Sequence, residues 1–411
     1  MNKIKAKAIG IIILAVISVI NFSVPVSTTK NLPETVYYSA EAEKINIRDR
    51  INRFPVSSVA EMPVGQVKDE RYTSDISVSL FGIIPVKTVR FVKKESVTLV
   101  PSGHSVGITI QTKGLLVIDT SDVCIDSNGM TVKSPAYAAG IRSGDIITHT
   151  NGVEVHTTDQ LTALCTDEVH LTVNRDGIEH KFTVVPVTDK RTNEKRLGIW
   201  VREDTSGIGT LSFYDPKSGC FAALGHAVTD IDTGTACEIY TGSVSSCEIV
   251  SIEKGRGGSP GELIGIFSSA KDKHGRLISN TQYGIFGREF DTDGMSFLYP
   301  QGLPLAYPDE VHTGDAKIIC TTDSGRPQEY QCMIVRCTKQ DEKSVKGLIV
   351  EVTDDSLLEK TGGIVQGMSG SPIIQDNKLV GVVTHVMINN PHRGYGLYAC
   401  WMWEECSTLA G

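Results

Sequence analysis

The sequence lacks the patterns that would indicate a metal centre or nucleic-acid binding. Its 40 Lys and Arg residues are outnumbered by 48 Asp and Glu residues, so the net charge of −8 leaves no basic footprint for nucleic acid. The ten cysteines include no C-x-x-C pair, and no recognised zinc spacing is present. We therefore expect no metal, no organic cofactor and no nucleic-acid partner. The sequence does not decide whether the cysteines form a few disulfides or remain free, buried thiols.

Aromatic residues are also scarce, at 6%, whereas 39 glycines are present. This composition favours a β-rich fold with many turns. At about 100–200 residues per domain, a chain of 411 residues predicts two or three domains.

A hydrophobic run near the N-terminus predicts an export signal or anchor. Lys3, Lys5 and Lys7 precede the apolar residues 8–20, as in the basic and apolar regions of such segments. The run of roughly 13–17 residues is short for a bilayer, which takes about 20, and it has no clean A-x-A cleavage site. We predict a signal anchor over residues 1–26, followed by a tether and linker with short strands over residues 27–96.

Residues 97–187 form the next predicted unit, which contains clear helix and turn signals. Ser134-Pro135-Ala136 predicts the start of a short helix and Gly140 its end, while Asn151-Gly152 predicts a hairpin turn. This stretch resembles a PDZ domain of the circularly shifted kind found beside bacterial proteases. A PDZ groove binds an extended peptide as an added strand. The resemblance implies that the peptide-binding loop consists of four residues: Ser105, Val106, Gly107 and Ile108.

Two leucines in the second predicted helix of this unit, Leu161 and Leu164, face either the groove or the core. A charged linker over residues 190–196 is expected to lead into the last domain. Residues 197–411 contain many short strands separated by turn signals and no long helices between them. This pattern predicts a β-barrel or a β-sandwich.

A serine between glycines, in Gly367-Met368-Ser369-Gly370, is the candidate nucleophile of this block. A tight glycine turn can expose the serine Oγ and aim backbone N–H groups at one point, as an acyl-transfer site requires. A strand, a turn and a second strand follow, whereas the nucleophile turn of an α/β-hydrolase needs G-x-S-x-G and a helix. The stretch looks like the nucleophile turn of chymotrypsin-like serine peptidases. The alternative is an ordinary glycine-rich hairpin connection.

The serine needs a base, for which His226 is the best of ten histidines. His226 lies at the end of a predicted strand between small neighbours, 143 positions before Ser369 in the same block. His385 is expected to pack or to form a hydrogen bond within its strand, and two further histidines fall in polar loops: His274 and His312. Six residues are candidates for the acid that orients the imidazole, and their positions alone do not decide among them: Asp230, Asp232, Asp291, Asp293, Asp354 and Asp355.

Several motifs together resemble the SpoIVB peptidase family, the stage IV sporulation protein B peptidases of endospore-forming Firmicutes. They are Leu80-Phe81-Gly82-Ile83-Ile84-Pro85, Gly225-His226-Ala227, Gly257-Gly258-Ser259-Pro260-Gly261-Glu262, Val352-Thr353-Asp354, Gly362 to Ile373, and Thr384-His385-Val386. The resemblance implies a mainly β protein with an anchor, a PDZ domain at 97–187 and a chymotrypsin-like double-barrel serine peptidase at 197–411. It implies the triad His226, Asp354 and Ser369. From the turn itself we expect the backbone N–H groups of Gly367 and Ser369 to form the oxyanion hole.

The same resemblance implies a biological role. The chain would be exported across the forespore membrane, cleave itself near the N-terminus and be released into the space between the two spore membranes. It would then cleave a membrane-bound regulator of the intramembrane protease that processes pro-sigma-K in the mother cell. Its partners would be these protein substrates, a peptide ligand of the PDZ groove and, through the anchor, the membrane. Two rival interpretations are a general envelope quality-control protease and a PDZ scaffold whose β domain is catalytically silent.

Overall fold

A computed structural model describes residues 34–39, 58–61, 73–80, 84–126, 128–267, 273–323, 326–340 and 343–409. The predicted anchor over residues 1–26 lies outside the described residues, as does most of the predicted tether. In the part that is described, no helix is both long and apolar enough to cross a membrane. The first four strands form a sheet in the order β1-β4-β3-β2. They are β1 (Thr35–Ser39), β2 (Ser58–Glu61), β3 (Thr73–Leu80) and β4 (Ile84–Lys94).

Two strands, β5 (Thr98–Pro101) and β6 (Ser105–Thr120), lead into the PDZ unit. The elements that follow are short: β7 (Val123–Cys124), β8 (Thr131–Val132), α1 (Pro135–Ala139), β9 (Ile146–Thr150), β10 (Val153–Glu154), α2 (Thr158–Ala163), β11 (Val169–Arg175), β12 (Ile178–Val184), β13 (Val187–Asp189) and β14 (Glu194–Arg196). Ser134 caps α1 and Gly140 ends it in the left-handed conformation, as the sequence predicts. The predicted charged linker is instead the hairpin of β13 and β14.

The PDZ unit has a hydrophobic core of its own, which begins at Leu115 and ends at Leu197. Leu161 is buried in this core, and Leu164 packs against it. The open choice between groove and core for these two leucines is therefore settled in favour of the core.

The first barrel is formed by strands from both sides of the PDZ unit. Its later strands are β15 (Ile199–Tyr214), β16 (Phe221–Ala223), β17 (Ile239–Glu253), β18 (Glu262–Phe267), β19 (Lys273–Thr281), β20 (Gly284–Arg288) and β21 (Leu303–Pro304). The sheet runs β6-β17-β19-β20-β16-β15, and pairing between β15 and β6 closes it. The PDZ unit is thus inserted between two neighbouring strands of the peptidase barrel.

This insertion corrects two predictions. The peptidase does not start at residue 197, because the first half of β6, with Val106, Ile108 and Ile110, belongs to the first barrel's core. The stretch predicted as the PDZ peptide-binding loop, Ser105 to Ile108, is hydrogen-bonded to β15 on one edge and to β17 on the other. A peptide cannot be added to a strand whose two edges are both paired, so this loop assignment does not fit the structure.

The second barrel closes in the order β22-β23-β24-β27-β26-β25. After a 3₁₀-helix (Pro308–Glu310), its elements are β22 (Gly314–Cys320), β23 (Gln328–Cys337), β24 (Leu348–Val352), α3 (Asp355–Thr361), β25 (Pro372–Gln375), β26 (Lys378–Met387), β27 (Asn390–Tyr398) and α4 (Ala399–Thr408). Its core is continuous with buried residues of the first barrel, including Leu99, Phe213 and Phe286. The predicted fold class, mainly β with a PDZ domain and a chymotrypsin-like double barrel, is confirmed. All ten cysteines are free thiols.

Candidate active site

His226 follows a sharp reversal at the end of β16. Leu224 and Gly225 both have left-handed backbones, with φ of 70° and 73°. This conformation is strained for leucine, and such strain persists only where the surroundings hold it. A Cβ at Gly225 would lie 2.8 Å from Cγ2 of Val382 in the second barrel, so glycine permits this close approach. The reversal brings His226 to the boundary between the two barrels.

The hydrogen bond of the His226 ring fixes its tautomer. Nδ1 lies 2.8 Å from the carbonyl oxygen of Ala227. A carbonyl only accepts, so Nδ1 carries the proton and Nε2 of the neutral ring is free to accept one. Burial lowers the pKa of His226, and the hydrogen bond to Ala227 opposes that shift only in part. The ring is therefore neutral, and suited to act as a base, at neutral pH.

Asn280, at the end of β19, supports the segment that follows His226. Its side chain accepts a hydrogen bond from the Val228 N–H at 2.9 Å and donates to the carbonyls of Val228 at 2.8 Å and Cys237 at 2.9 Å. These three bonds join both ends of the loop 228–237 to β19. No sequence pattern indicates this role, since one asparagine in a strand has no characteristic spacing.

Ser369 lies in a turn that contacts the first barrel. Gly370 has a φ of 97°, and a Cβ there would lie 2.2 Å from the Thr210 carbonyl oxygen. The Thr210 N–H donates to the Ser369 carbonyl at 3.0 Å, which joins the turn to β15. The Ser369 Oγ donates to the Thr384 carbonyl at 2.5 Å, and not to His226. A rotation of the serine side chain is needed before the hydroxyl can meet an imidazole.

The backbone of the same turn offers free donors. Neighbouring N–H groups are used: that of Met368 donates to Val365, and that of Gly370 donates to Val383. Among the described residues, the N–H groups of Gly367 and Ser369 have no hydrogen-bond acceptor. Two unused donors beside a serine hydroxyl are what a developing oxyanion requires.

The glycine-rich segment 254–262 supports this turn from behind. The Gly255 N–H donates to the Thr361 carbonyl at 2.8 Å, and the Gln366 N–H donates to the Gly261 carbonyl at 2.8 Å. A Cβ at Gly261 would lie 2.2 Å from the Glu253 carbonyl oxygen. Gly261 therefore allows the two arms of this segment to lie close together, and the two hydrogen bonds join the segment to the residues that precede the Ser369 turn.

Ser369 and His226 line one open groove with a volume of about 1010 Å³. Most of its side chains are apolar or uncharged, and Arg202 and Asp204 lie at one end. His385 also lines the groove, with its ring centroid 4.7 Å from that of His226. Burial and the nearby His226 lower the pKa of His385. His385 is therefore part of the groove, although its position in the sequence predicts only packing or a hydrogen bond within its strand.

Asp354 is placed differently. It is the N-cap of α3, and its carboxylate accepts from the N–H groups of Ser356 at 3.0 Å, Leu357 at 3.1 Å and Gln331 at 3.1 Å. Partial burial acts to raise the pKa of Asp354, but these hydrogen bonds outweigh it and lower the pKa. Asp354 does not line the groove. The structure therefore brings together Ser369 and His226 but not the third predicted member, whose role stays a prediction.

The other candidate residues have partners of their own. Asp230 and Asp232 are ion-paired with Arg202. His312 pairs with Asp376 at 2.9 Å, and Nε2 of His274 lies 2.6 Å from the Ser246 Oγ, outside the groove. In the described part of the chain, no group of three or more His, Cys, Asp or Glu side chains is arranged to hold a metal ion.

Two closed barrels with a serine and a histidine at their boundary define the class of the protein: a chymotrypsin-like serine peptidase, here with a PDZ domain inserted in its first barrel. The family model of the SpoIVB peptidase S55 matches residues 193–403, more than half of the chain. The chain therefore belongs to this family of serine peptidases. A PDZ domain model matches residues 129–175, within the inserted unit. No curated protein was found that matches the chain.

Proposed function

We propose that Ser369 is the nucleophile and His226 the general base of this serine endopeptidase. The observation that supports the proposal is the common groove, in which the His226 Nε2 is free to accept a proton and two N–H groups beside Ser369 are unused. Ser369 attacks the peptide carbonyl, and the N–H groups of Gly367 and Ser369 hold the oxyanion. His226 takes the hydroxyl proton and returns it to the leaving amine.

A backbone carbonyl, that of Ala227, accepts the hydrogen bond from the His226 ring, and the role of Asp354 stays a prediction. In the described structure the Ala227 carbonyl holds Nδ1–H, and the Asp354 carboxylate is bound to the start of α3. Asp354 acts on His226 only if the two segments approach one another when substrate binds. The proposed chemistry does not depend on that movement, because a carbonyl acceptor already selects the tautomer that a base needs.

A serine-reactive fluorophosphonate probe tests the assignment. The parent should be labelled at Ser369, and Ser369→Ala should not be labelled. In His226→Ala the rate of labelling should fall by at least about 100-fold. Ser246→Ala is the matched control, because Ser246 is also hydrogen-bonded to a histidine but lies outside the groove. Label at Ser246 and not at Ser369 would refute the assignment. Absence of any label would favour a silent PDZ scaffold.

We also propose the finer role: a sporulation peptidase that is exported and membrane-anchored, cleaves itself and then cleaves a membrane-bound regulator, which starts the intramembrane processing of pro-sigma-K. The family membership and the basic, apolar N-terminal segment support this role. Mass spectrometry of the exported parent and of Ser369→Ala should show discrete N-terminal fragments in the parent alone. Identical fragments would mean that another protease made them. Normal pro-sigma-K processing in host cells that carry Ser369→Ala would point instead to general quality control.

A further inference from the structure

One strand, β15, passes through both the PDZ unit and the active-site groove. At its start, Ile199 and Val201 pack against the PDZ core. Further along, Asp204 to Ile208 line the groove that contains Ser369. At its end, β15 pairs with β16, which leads to His226. The same strand therefore connects the PDZ core directly with the catalytic residues.

One edge of β15 is open beside the groove. Over residues 199–210, β15 pairs with β6 on one edge, and on the other edge its pairing with β16 begins only at Leu211. No other strand among those described pairs with the remaining length of that edge. An open strand edge is a template for another extended chain.

The backbone groups on this edge can be assigned from Thr210. Its N–H donates to Ser369 and its carbonyl accepts from Leu224, so both groups point away from β6. In an antiparallel strand the N–H and C=O of one residue point to the same edge, and every second residue repeats the pattern. Ile208, Ser206 and Asp204 therefore present their N–H and C=O groups to the open groove.

The direction of a bound substrate follows from the proposed chemistry. His226 protonates the leaving amine, so the segment on the C-terminal side of the cleaved bond lies on the His226 side of Ser369, beside the first barrel. Ile208 and Asp204 are four residues apart, which corresponds to about 13 Å of regular strand, and an irregularity between Asp204 and Arg202 follows before β15 reaches the PDZ unit. Arg202 is itself neutralised by Asp230 and Asp232, so its charge does not select a substrate.

We propose that an extended polypeptide substrate adds to the open edge of β15, and that its segment C-terminal to the cleaved bond runs from Ser369 to the PDZ unit. The PDZ unit then contacts the substrate at the Ile199–Arg202 end of β15, not at Ser105 to Ile108. The N–H of Thr158, at the start of α2, donates to the Glu203 side chain at 2.6 Å, which fixes the PDZ unit at that end of the groove. This inference rests on Ser369 as the nucleophile.

The first test uses the parent full-length chain and a peptide library from trypsin-digested casein. Mass spectrometry gives each cleavage site and the number of residues that follow it. Cleavage efficiency should rise about tenfold as that number increases from two to about six or eight, and then level off. Efficiency that is independent of this number would overturn the inference while leaving the nucleophile in place. A library left uncut by the parent, or cut equally by Ser369→Ala, would refute the proposed function itself, and the inference with it.

The second test removes one donor from the open edge. Ser206→Pro deletes the N–H that faces the groove and no hydrogen bond to β6, a position at which a strand tolerates proline. The ratio of kcat/KM for a long peptide to that for a short one should fall about three- to tenfold, through KM. Ser206→Ala, which keeps the N–H, should retain the parent ratio. An unchanged ratio in a folded Ser206→Pro would overturn the inference, and the library result decides the matter if that variant does not fold.

Discussion

Replacing Asn280 tests whether the loop after His226 is held in place for catalysis. Asn280→Ala removes three hydrogen bonds. It leaves the Cys237 carbonyl and the Val228 N–H without a partner, whereas the Val228 carbonyl keeps its bond from the Cys237 N–H. At about 0.5–1.5 kcal/mol for each bond, the free energy of unfolding should fall by about 2–4 kcal/mol. Because only Ala227 separates His226 from this loop, the His226 ring should also lose its position relative to Ser369. A misplaced general base lowers kcat by about 10- to 100-fold.

The assay separates positioning from general damage. Steady-state cleavage of a peptide chosen from the casein library should show a lower kcat with little change in KM, and fluorophosphonate labelling of Ser369 should slow to the same extent. Asn280→Asp keeps the acceptor for Val228 but loses both donors, so it should also be impaired. Asn128→Ala, at an exposed position in the PDZ unit, is the control. The reasoning is refuted if Asn280→Ala unfolds at the parent temperature, or if it keeps the parent kcat.

Three further predictions concern the same site. On the acid side of the pH profile, kcat/KM should fall to half its value at a pH below the ordinary histidine pKa of about 6.5. The reason is that burial lowers the pKa of His226 and the neutral ring is the active form. A midpoint above pH 7 would contradict this. Asp354→Ala should lower the free energy of unfolding in a denaturant titration by about 1–2 kcal/mol through loss of the α3 cap, and Asp354→Ser, which can still cap, should regain most of it. If both variants were as stable as the parent, the cap would make no contribution to the free energy of unfolding. The kcat of Asp354→Ser separately measures the catalytic contribution of the carboxylate. Gly370→Ala should abolish labelling of Ser369 and should lower the melting temperature far more than Gly177→Ala does. Both glycines have a left-handed φ, but a Cβ would have a neighbour within 4 Å only at Gly370. Similar melting temperatures of the two variants would show that the contact with Thr210 is unimportant.

Local sequence signals were sufficient to predict those features whose structure depends on a single short segment. The cap at Ser134, the stop at Gly140 and the turn around Ser369 depend on residues within a few positions of one another. Their outcomes agree with the residue types. The presence of Ser369 and His226 in one groove was also predictable, because a serine nucleophile requires a base and few histidines in the last domain had small neighbours.

The position of Ser105 to Ile108, which the sequence did not predict correctly, depends on pairing between strands that are distant in the sequence. Ser105 to Ile108 has the composition of a buried strand, and nothing in the stretch itself distinguishes the edge of a PDZ groove from the interior of a barrel. The partner strands of these residues lie about 100 or more positions away, in β15 and β17. The family resemblance implies Asp354 as the orienting acid, whereas its position directly before α3 makes it a helix cap. A residue that precedes Asp-Ser-Leu at a strand end could have been considered as a cap first.

The insertion of the PDZ unit has a mechanical consequence that a flexible linker would not have. The chain leaves the first barrel through β6 and returns through β15, and these two strands pair with each other from Ile199–Thr120 to Thr210–Ser105. A movement of the PDZ unit must therefore act on β15 itself. That strand holds the Ser369 turn through Thr210 and the loop after His226 through Arg202 and the buried Asp230. A ligand that bound the PDZ unit and shifted β15 would therefore move both Ser369 and His226, because one continuous strand contacts the PDZ core and the segments that carry both residues.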